Sequence, residues 1–301
     1  MIAKRIGAVL AAVALIVGAW LIRSRVIDDD GATDAGDGDR PPAAAEVLVC
    51  IQELAEVCRT AIAGTGLRLE TTPAGETLDA LIAGTQAPTL WLTFDPLPQM
   101  INEARGRAGS GVQPISHSAP ELATSRIGVV AQADAADALR RACDPVDLGC
   151  VGGQSDVKTA LSQSNSGIGI LTIAAVIDAR SGNSFSPDTF DLSWARGLRD
   201  NSRATLSDRT AVRTMQTRPT IQAAYGAEAE IATTQRDRFS VLYAEPMVRA
   251  DVVLMVPADI DVPGGLTESL GTALTEAGWQ PATPTEPNGL PEPGAILAIR
   301  A

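Results

Sequence analysis

The amino-acid sequence predicts an α/β fold, a mostly parallel sheet covered by helices on both faces. Three observations carry that expectation. Strand-like and helix-like stretches alternate from about residue 46 onward. The chain of 301 residues is 45% hydrophobic and 20% charged, ordinary usage for one large or two medium globular domains with real cores. No internal repeat is apparent, which removes solenoids and propellers.

In chain order, the first element is an uncharged apolar run, IGAVLAAVALIVGAWLI at residues 6–22, between Lys4-Arg5 and Arg23-Ser24-Arg25. Its length is at the short end of what spans a bilayer as a helix, and residues 1–25 read as one uncleaved transmembrane anchor. A cleaved secretory signal is the alternative, but Trp20, Leu21 and Ile22 make a poor small-x-small cleavage site. Asp28, Asp29, Asp30, Asp34, Asp37 and Asp39 follow, and such an acidic tract fits export of the downstream chain. The expectation is a single-pass protein of the cell membrane with its globular part extracytoplasmic. Residues 26–45 contain Asp, Gly, Ala and Pro without apolar periodicity and read as a flexible, self-repelling linker.

The folded part begins near Glu46. EVLVCI (46–51) reads as a buried strand running into a helix, with Ile51, Leu54, Ala55, Cys58 and Ile62 at helical spacing until Gly64-Thr65-Gly66. LRLETT (67–72) alternates as a second strand and 76–83 suits a short helix. TLWLTF (89–94) is a third strand ahead of a helix carrying Leu97, Met100, Ile101 and Ala104. After a Gly/Ser-rich loop at 106–111, RIGVVAQ (126–132) reads as a strand and 134–142 as a helix. Ser164-Asn165-Ser166-Gly167 leads into IGILTIAAVIDAR, which is apolar nearly all round and therefore a buried helix capped by that polar group. Residues 190–237 are polar and Arg-rich and read as solvated helices. RFSVLYAEP (238–246) and ADVVLMVPA (250–258) are strands, 266–277 an amphipathic helix, and five prolines from Gln280 to Gly294 break regular structure. The closing AILAIRA fits either a docked helix or a frayed end.

Cys50 and Cys58 are eight apart and Cys143 and Cys150 seven apart, and neither spacing is the CxxC of zinc or thioredoxin-like sites. Two local disulfides are the simplest account in an exported chain, although three pairings are formally open. Each short loop closed in this way adds about 2–3 kcal/mol by limiting the unfolded chain.

Composition excludes several functions. With 24 Lys+Arg against 36 Asp+Glu the net charge is -12, which repels phosphate backbones, and no basic stripe offsets it; no nucleic-acid partner is expected. The single histidine, His117 in the loop PISHSAP, nearly excludes His-based triads and His-rich metal sites. Gly64-Thr65-Gly66 lacks a third glycine and follows a helix, so it is a C-cap turn and not a dinucleotide fingerprint; no P-loop exists. Gln163-Ser164-Asn165-Ser166-Gly167 superficially resembles a nucleophile elbow but lacks the leading glycine and a base nearer than His117. Glu228 and Glu230 point to different sides of a helix and do not indicate acid/base work. The chain therefore reads as a binder, not an enzyme, with no cofactor and no metal site. Its positive signal is Ser164-Asn165-Ser166-Gly167, where hydroxyl, amide and free N–H groups at a helix N-terminus form a site for an anion or polar oxygen; a plain N-cap is the alternative.

Taken together, VLVC turning into a helix, TLWLTF, ATSRIGVVA, SQSNSGIGILTIAAV, and SVLYAEP with VVLMVP resemble the bacterial extracellular solute-binding proteins with the type II periplasmic-binding fold. The resemblance is one of order and pattern over roughly residues 46–280. The Pro-rich end and AILAIRA resemble the linker by which some actinobacterial relatives continue into a von Willebrand factor A domain. The resemblance implies two α/β lobes closing over a ligand at the carboxyl ends of strands. Lobe one would be 46–125 plus 246–301 and lobe two 126–245, with crossings at 122–129 and 239–253. It implies a ligand site made of Gln52 and Glu53 after the first strand and Trp91 and Thr93 in the third. Ser125 and Arg126 would join at the first crossing, Ser164, Asn165 and Ser166 at the helix cap, and Tyr243 and Glu245 at the second crossing. Arg126 would be a bidentate partner for a carboxylate or oxyanion, or a hinge salt bridge. Trp91 would stack on ligand or fill the core. A Cys50–Cys58 bridge beside the cleft and an anchor helix in place of a lipid-modified cysteine depart from the family pattern.

The implied function is a membrane-tethered extracytoplasmic solute-binding protein that captures a small polar or anionic ligand for an ABC-type transporter, its partner a membrane permease or another envelope protein. The alternative is a non-transport envelope scaffold with the same fold. A hydrolase using Ser166 or Ser164 is the third reading.

Overall fold

Five successive apolar residues cannot alternate between core and water, and in a computed structural model of the chain they form β1 (Val47–Ile51), buried on both faces. The structure describes residues 43–300 except 45, 88, 110–116, 119–120, 183, 187–189, 202, 205–209, 232–236 and 283–287. The expected anchor and nearly all of the linker lie outside the described residues, among which no helix is long and apolar enough to cross a membrane. Ala43–Ala44, at the end of the expected linker, pair in parallel with Ile260–Asp261.

After β1 come α1 (Ala55–Ala61), β2 (Arg68–Thr72), α2 (Ala74–Ala83), β3 (Leu90–Asp95) and α3 (Leu97–Arg107). β2 and β3 flank β1 and run parallel to it. The chain continues through β4 (Ala123–Gln132), α4 (Ala133–Ala142), α5 (Leu148–Gly152), β5 (Thr159–Leu161), α6 (Gly167–Arg180), α7 (Leu192–Asn201) and α8 (Ala211–Thr217). It ends with β6 (Ala223–Ala227), β7 (Phe239–Leu242), β8 (Val248–Val256), α9 (Leu266–Glu276) and α10 (Pro293–Arg300). The main strand order is β2-β1-β3-β8-β4-β6-β5.

Three expectations are corrected. The sheet is mixed rather than mostly parallel. The chain passes along β4 in one direction and returns along β7 and β8 in the other, so β8 pairs antiparallel with residues 123–127 and β7 with 129–132. The polar stretch 190–237 holds α7 and α8 but also β6, a strand buried at all five positions. AAYGA has no β-branched residue and no alternation to announce it; its small side chains pack between helices, and Tyr225 donates its hydroxyl to the Leu148 carbonyl at 3.0 Å. In the Pro-rich segment, Gln280–Pro281 pair with β4.

The closing residues are a docked helix. α10 packs on α3 and α6, buries Ile296, and places Arg300 in a two-pronged bond to Asp79 at 3.0 and 3.1 Å. Both local disulfides form, Cys50–Cys58 and Cys143–Cys150. One continuous core joins Leu48, Phe94, Ile127, Ile168 and Leu254, while a smaller cluster of Val130, Val212, Met215 and Ala224 lies under α8.

Candidate ligand cleft

The site begins where β1 ends. A single turn over Gln52–Leu54, bracketed by the Cys50–Cys58 bridge, aims Glu53 away from the sheet edge. Opposite it, Ser166 is extended (φ -80°, ψ 155°) and caps α6. Its hydroxyl accepts the Gly169 N–H at 3.1 Å and donates to the Gln163 carbonyl at 2.8 Å. The next free donor of the helix, the Ile168 N–H, goes to Glu53 Oε1 at 3.0 Å. The anion place expected at this helix terminus is therefore filled by the chain's own carboxylate.

Close backbone approach makes this possible. A Cβ on Gly167 would stand 2.8 Å from the Phe94 ring, so only glycine lets α6 descend onto the ends of β1 and β3. Beside it, the Gly75 N–H donates to the Asn165 carbonyl at 2.7 Å, joining α2 to the α6 cap through main chain.

A second carboxyl group faces the same cleft. Glu230 Oε2 accepts the Ala227 N–H at 3.0 Å, and Thr210, which caps α8, stands beside the carboxyl group. Burial raises Glu230 from its ordinary 4.5 to about 7, and the nearby Glu53 charge adds to the shift. Burial likewise raises Glu53, against the opposing pull of the Ile168 N–H that its Oε1 accepts. Both residues are half-buried as a whole, yet Glu53 Oε2 and Glu230 Oε1 are fully covered and without a hydrogen-bond partner. They line, with Ser166, Thr210, Arg213 and Trp279, a cleft of about 100 Å³. Trp279 is stacked on Phe94, ring centroids 5.6 Å apart, which makes this wall stiff and apolar.

Of the residues implied by the family pattern, Gln52, Glu53 and Ser166 line the cleft. Asn165 serves it through its backbone carbonyl, and Ser164 is exposed. Trp91 and Thr93 are fully buried in β3, within the core. Ser125 lies behind the cleft, where its hydroxyl accepts the Ala229 N–H at 3.0 Å and steadies the turn that carries Glu230. Arg126 bonds Glu228 Oε2 through Nε at 3.1 Å and Nη2 at 2.9 Å, and its guanidinium lies 4.1 Å over the Tyr243 ring. Tyr243 donates to that same Glu228 oxygen at 2.8 Å, and burial with this bond raises the phenol to about 12. Glu245 is exposed.

Sequence reasoning passed over Glu230, Arg213 and Trp279. The sequence places Glu230 with Glu228 on a helix; it stands instead in a single turn, Glu228–Glu230, where Glu228 bonds Arg126 and Tyr243 while Glu230 lines the cleft. Nothing local distinguishes Trp279 from any other aromatic residue at a helix end.

No protein-family model and no curated protein matches the chain. Solved structures do. Iron-bound HitA from Pseudomonas aeruginosa aligns with a TM-score of 0.58 at 12% identity, covering 86% of this chain and 98% of that one. A periplasmic thiamin binding protein aligns with a TM-score of 0.51 at 11% identity, covering 87% and 95%. The chain has the type II periplasmic-binding fold. In this two-lobed binding-protein fold the cleft lies where α/β sheets generally take ligands, outside the carboxyl ends of parallel strands such as β1 and beside a helix N-terminus.

Proposed function

We propose that the chain is an extracytoplasmic solute-binding protein that captures a small polar ligand between two lobes, without catalysis of its own. The observation that supports this best is the Glu53–Ser166–Glu230 cleft, which combines buried, unsatisfied polar atoms with an apolar Trp279 wall in a binding-protein fold. Lobe one is 46–125 with 246–301 and lobe two 126–245, with the crossings at β4 and at β7–β8. On this division the Glu53 bond to Ile168 and the Gly75 bond to Asn165 both run from lobe to lobe. Residues 6–22 anchor the protein, and the acidic linker holds the lobes within reach of a membrane permease of the ABC type.

The test is a thermal-unfolding screen of the full chain, purified in mild detergent, against amino acids, sugars, oxyanions, polyamines and short peptides. A ligand at about a hundred times its Kd adds about 2.7 kcal/mol and moves Tm by several degrees. A flat response to the whole panel sinks the reading.

Those same interlobe bonds favour a second reading, an envelope scaffold whose lobes are held together by their own side chains. A cross-linked, membrane-derived protein partner together with a flat ligand screen would support it.

A further inference from the structure

We propose that the cleft selects a small organic cation, seating a primary ammonium or guanidinium group between Glu53 and Glu230. The proposal rests on the solute-binding reading and names its ligand class. The reason is how the available partners are already used. A helix N-terminus ordinarily offers its N–H groups to an anion, but here Glu53 Oε1 holds the Ile168 N–H and the Ser166 hydroxyl is committed to Gly169 and Gln163. An anionic ligand would first have to expel a covalently attached competitor.

What the cleft walls leave over is two covered acceptors, which a ligand reaches once the carboxyl groups turn toward it. Glu53 Oε2 and Glu230 Oε1 are buried, carry lone pairs and meet no donor. An unsatisfied buried acceptor is costly, and a ligand bringing two or more N–H groups removes that cost on both sides at once. Charge agrees. Glu53, Glu56 and Glu230 line the cleft, and among the described lining residues the only cation is Arg213, an exposed residue. Glu56 is turned to Arg59 at 2.5 Å, so the negative charge inside comes from Glu53 and Glu230, and a cation seated between them would favour the ionised form of both. Trp279 also lines the cleft, its ring stacked on Phe94. A bare metal ion fits less well, because among the described residues no three His, Cys, Asp or Glu come together to hold one. A cavity of about 100 Å³ admits a head group of a few heavy atoms.

The experiment titrates the full chain calorimetrically with 1,4-diaminobutane and agmatine, and in parallel with acetate, sulfate, phosphate, glucose and the chlorides of magnesium, manganese and zinc. Expected is saturable binding of at least one of the two amines. Glu53→Gln and Glu230→Gln should each weaken it about 10- to 100-fold, the scale of losing one charged hydrogen-bond partner. Both amides can still accept the Ile168 or Ala227 N–H, so the folds should survive, and urea unfolding of each variant checks this. If Glu230→Gln fails to fold, Glu53→Gln alone carries the comparison. Amine binding unchanged in the folded variants overturns the proposal. So does saturable binding of an oxyanion, sugar or divalent metal without amine binding, which leaves the solute-binding reading standing. No binding by any probe overturns the proposal, and the polyamine-containing thermal screen then decides whether the solute-binding reading falls with it.

Discussion

Glu230 carries the largest consequence of any single side chain. Its folded-state pKa, about 7, lies above its ordinary 4.5, so the folded protein holds a proton there that the unfolded chain gives up. The stability it contributes is fully present below about pH 4.5 and is lost as pH rises through 7. Urea unfolding at pH 5, 6, 7 and 8 should therefore show falling stability, and Glu230→Gln should be more stable than the parent at pH 8, by up to about 3 kcal/mol. Glu53 and Asp95, also raised by burial, slope in the same sense, so the variant flattens the profile without levelling it. An unchanged profile in Glu230→Gln would contradict this. At the helix cap, Ser166→Ala should cost about 0.5–2 kcal/mol, whereas Asn165→Ala should be nearly neutral because it is the Asn165 backbone that bonds Gly75. The cap is readable from the sequence because Ser164-Asn165-Ser166-Gly167 before an apolar run is a local signature. The partner that fills its anion place is not, since Glu53 lies 115 residues away from Ile168 and only the folded sheet brings them together.

At the level of elements, α6 is held against β1 and β3 by the absence of a side chain at Gly167. Gly167→Ala forces the Phe94 ring or the helix to move and should lower stability by about 1–3 kcal/mol in urea unfolding, with a matching loss of cleft binding. A full-strength Gly167→Ala protein would mean that the two layers slide more freely than this packing allows. Elements with strong periodicity or long apolar runs, β1, β3, β8, α6 and α9, stand within a few residues of where the pattern places them. β5 and β6 escape the pattern because they are short and four of the five residues of β6 are Ala or Gly, whose burial comes from neighbours and not from their own hydrophobicity. The antiparallel returns along β4 escaped for a different reason. Alternation of strands and helices announces parallel pairing, but direction of return is a property of topology that no single segment encodes.

For the whole molecule, the two-lobed fold is what the family resemblance implies, while the chemistry of the cleft depends on which groups from distant segments satisfy one another. The disulfides bear on this. Cys50 and Cys58 are both fully buried, whereas Cys150 keeps some exposure. Dithiothreitol under native conditions, followed by alkylation and mass spectrometry, should therefore label Cys143 and Cys150 first; early labelling of Cys50 would place the first bridge at the surface. The Cys50–Cys58 ring also has a consequence in time. It closes across eight residues and encloses Glu53, so the carboxylate can be set in place as soon as this short stretch has emerged and oxidised. Its helix partner arrives more than a hundred residues later, after β4 and α5 have been laid down. The cleft is thus completed by the slow, long-range step of folding, and a chain stalled before α6 docks would present a fixed, unneutralised negative charge to whatever meets it first.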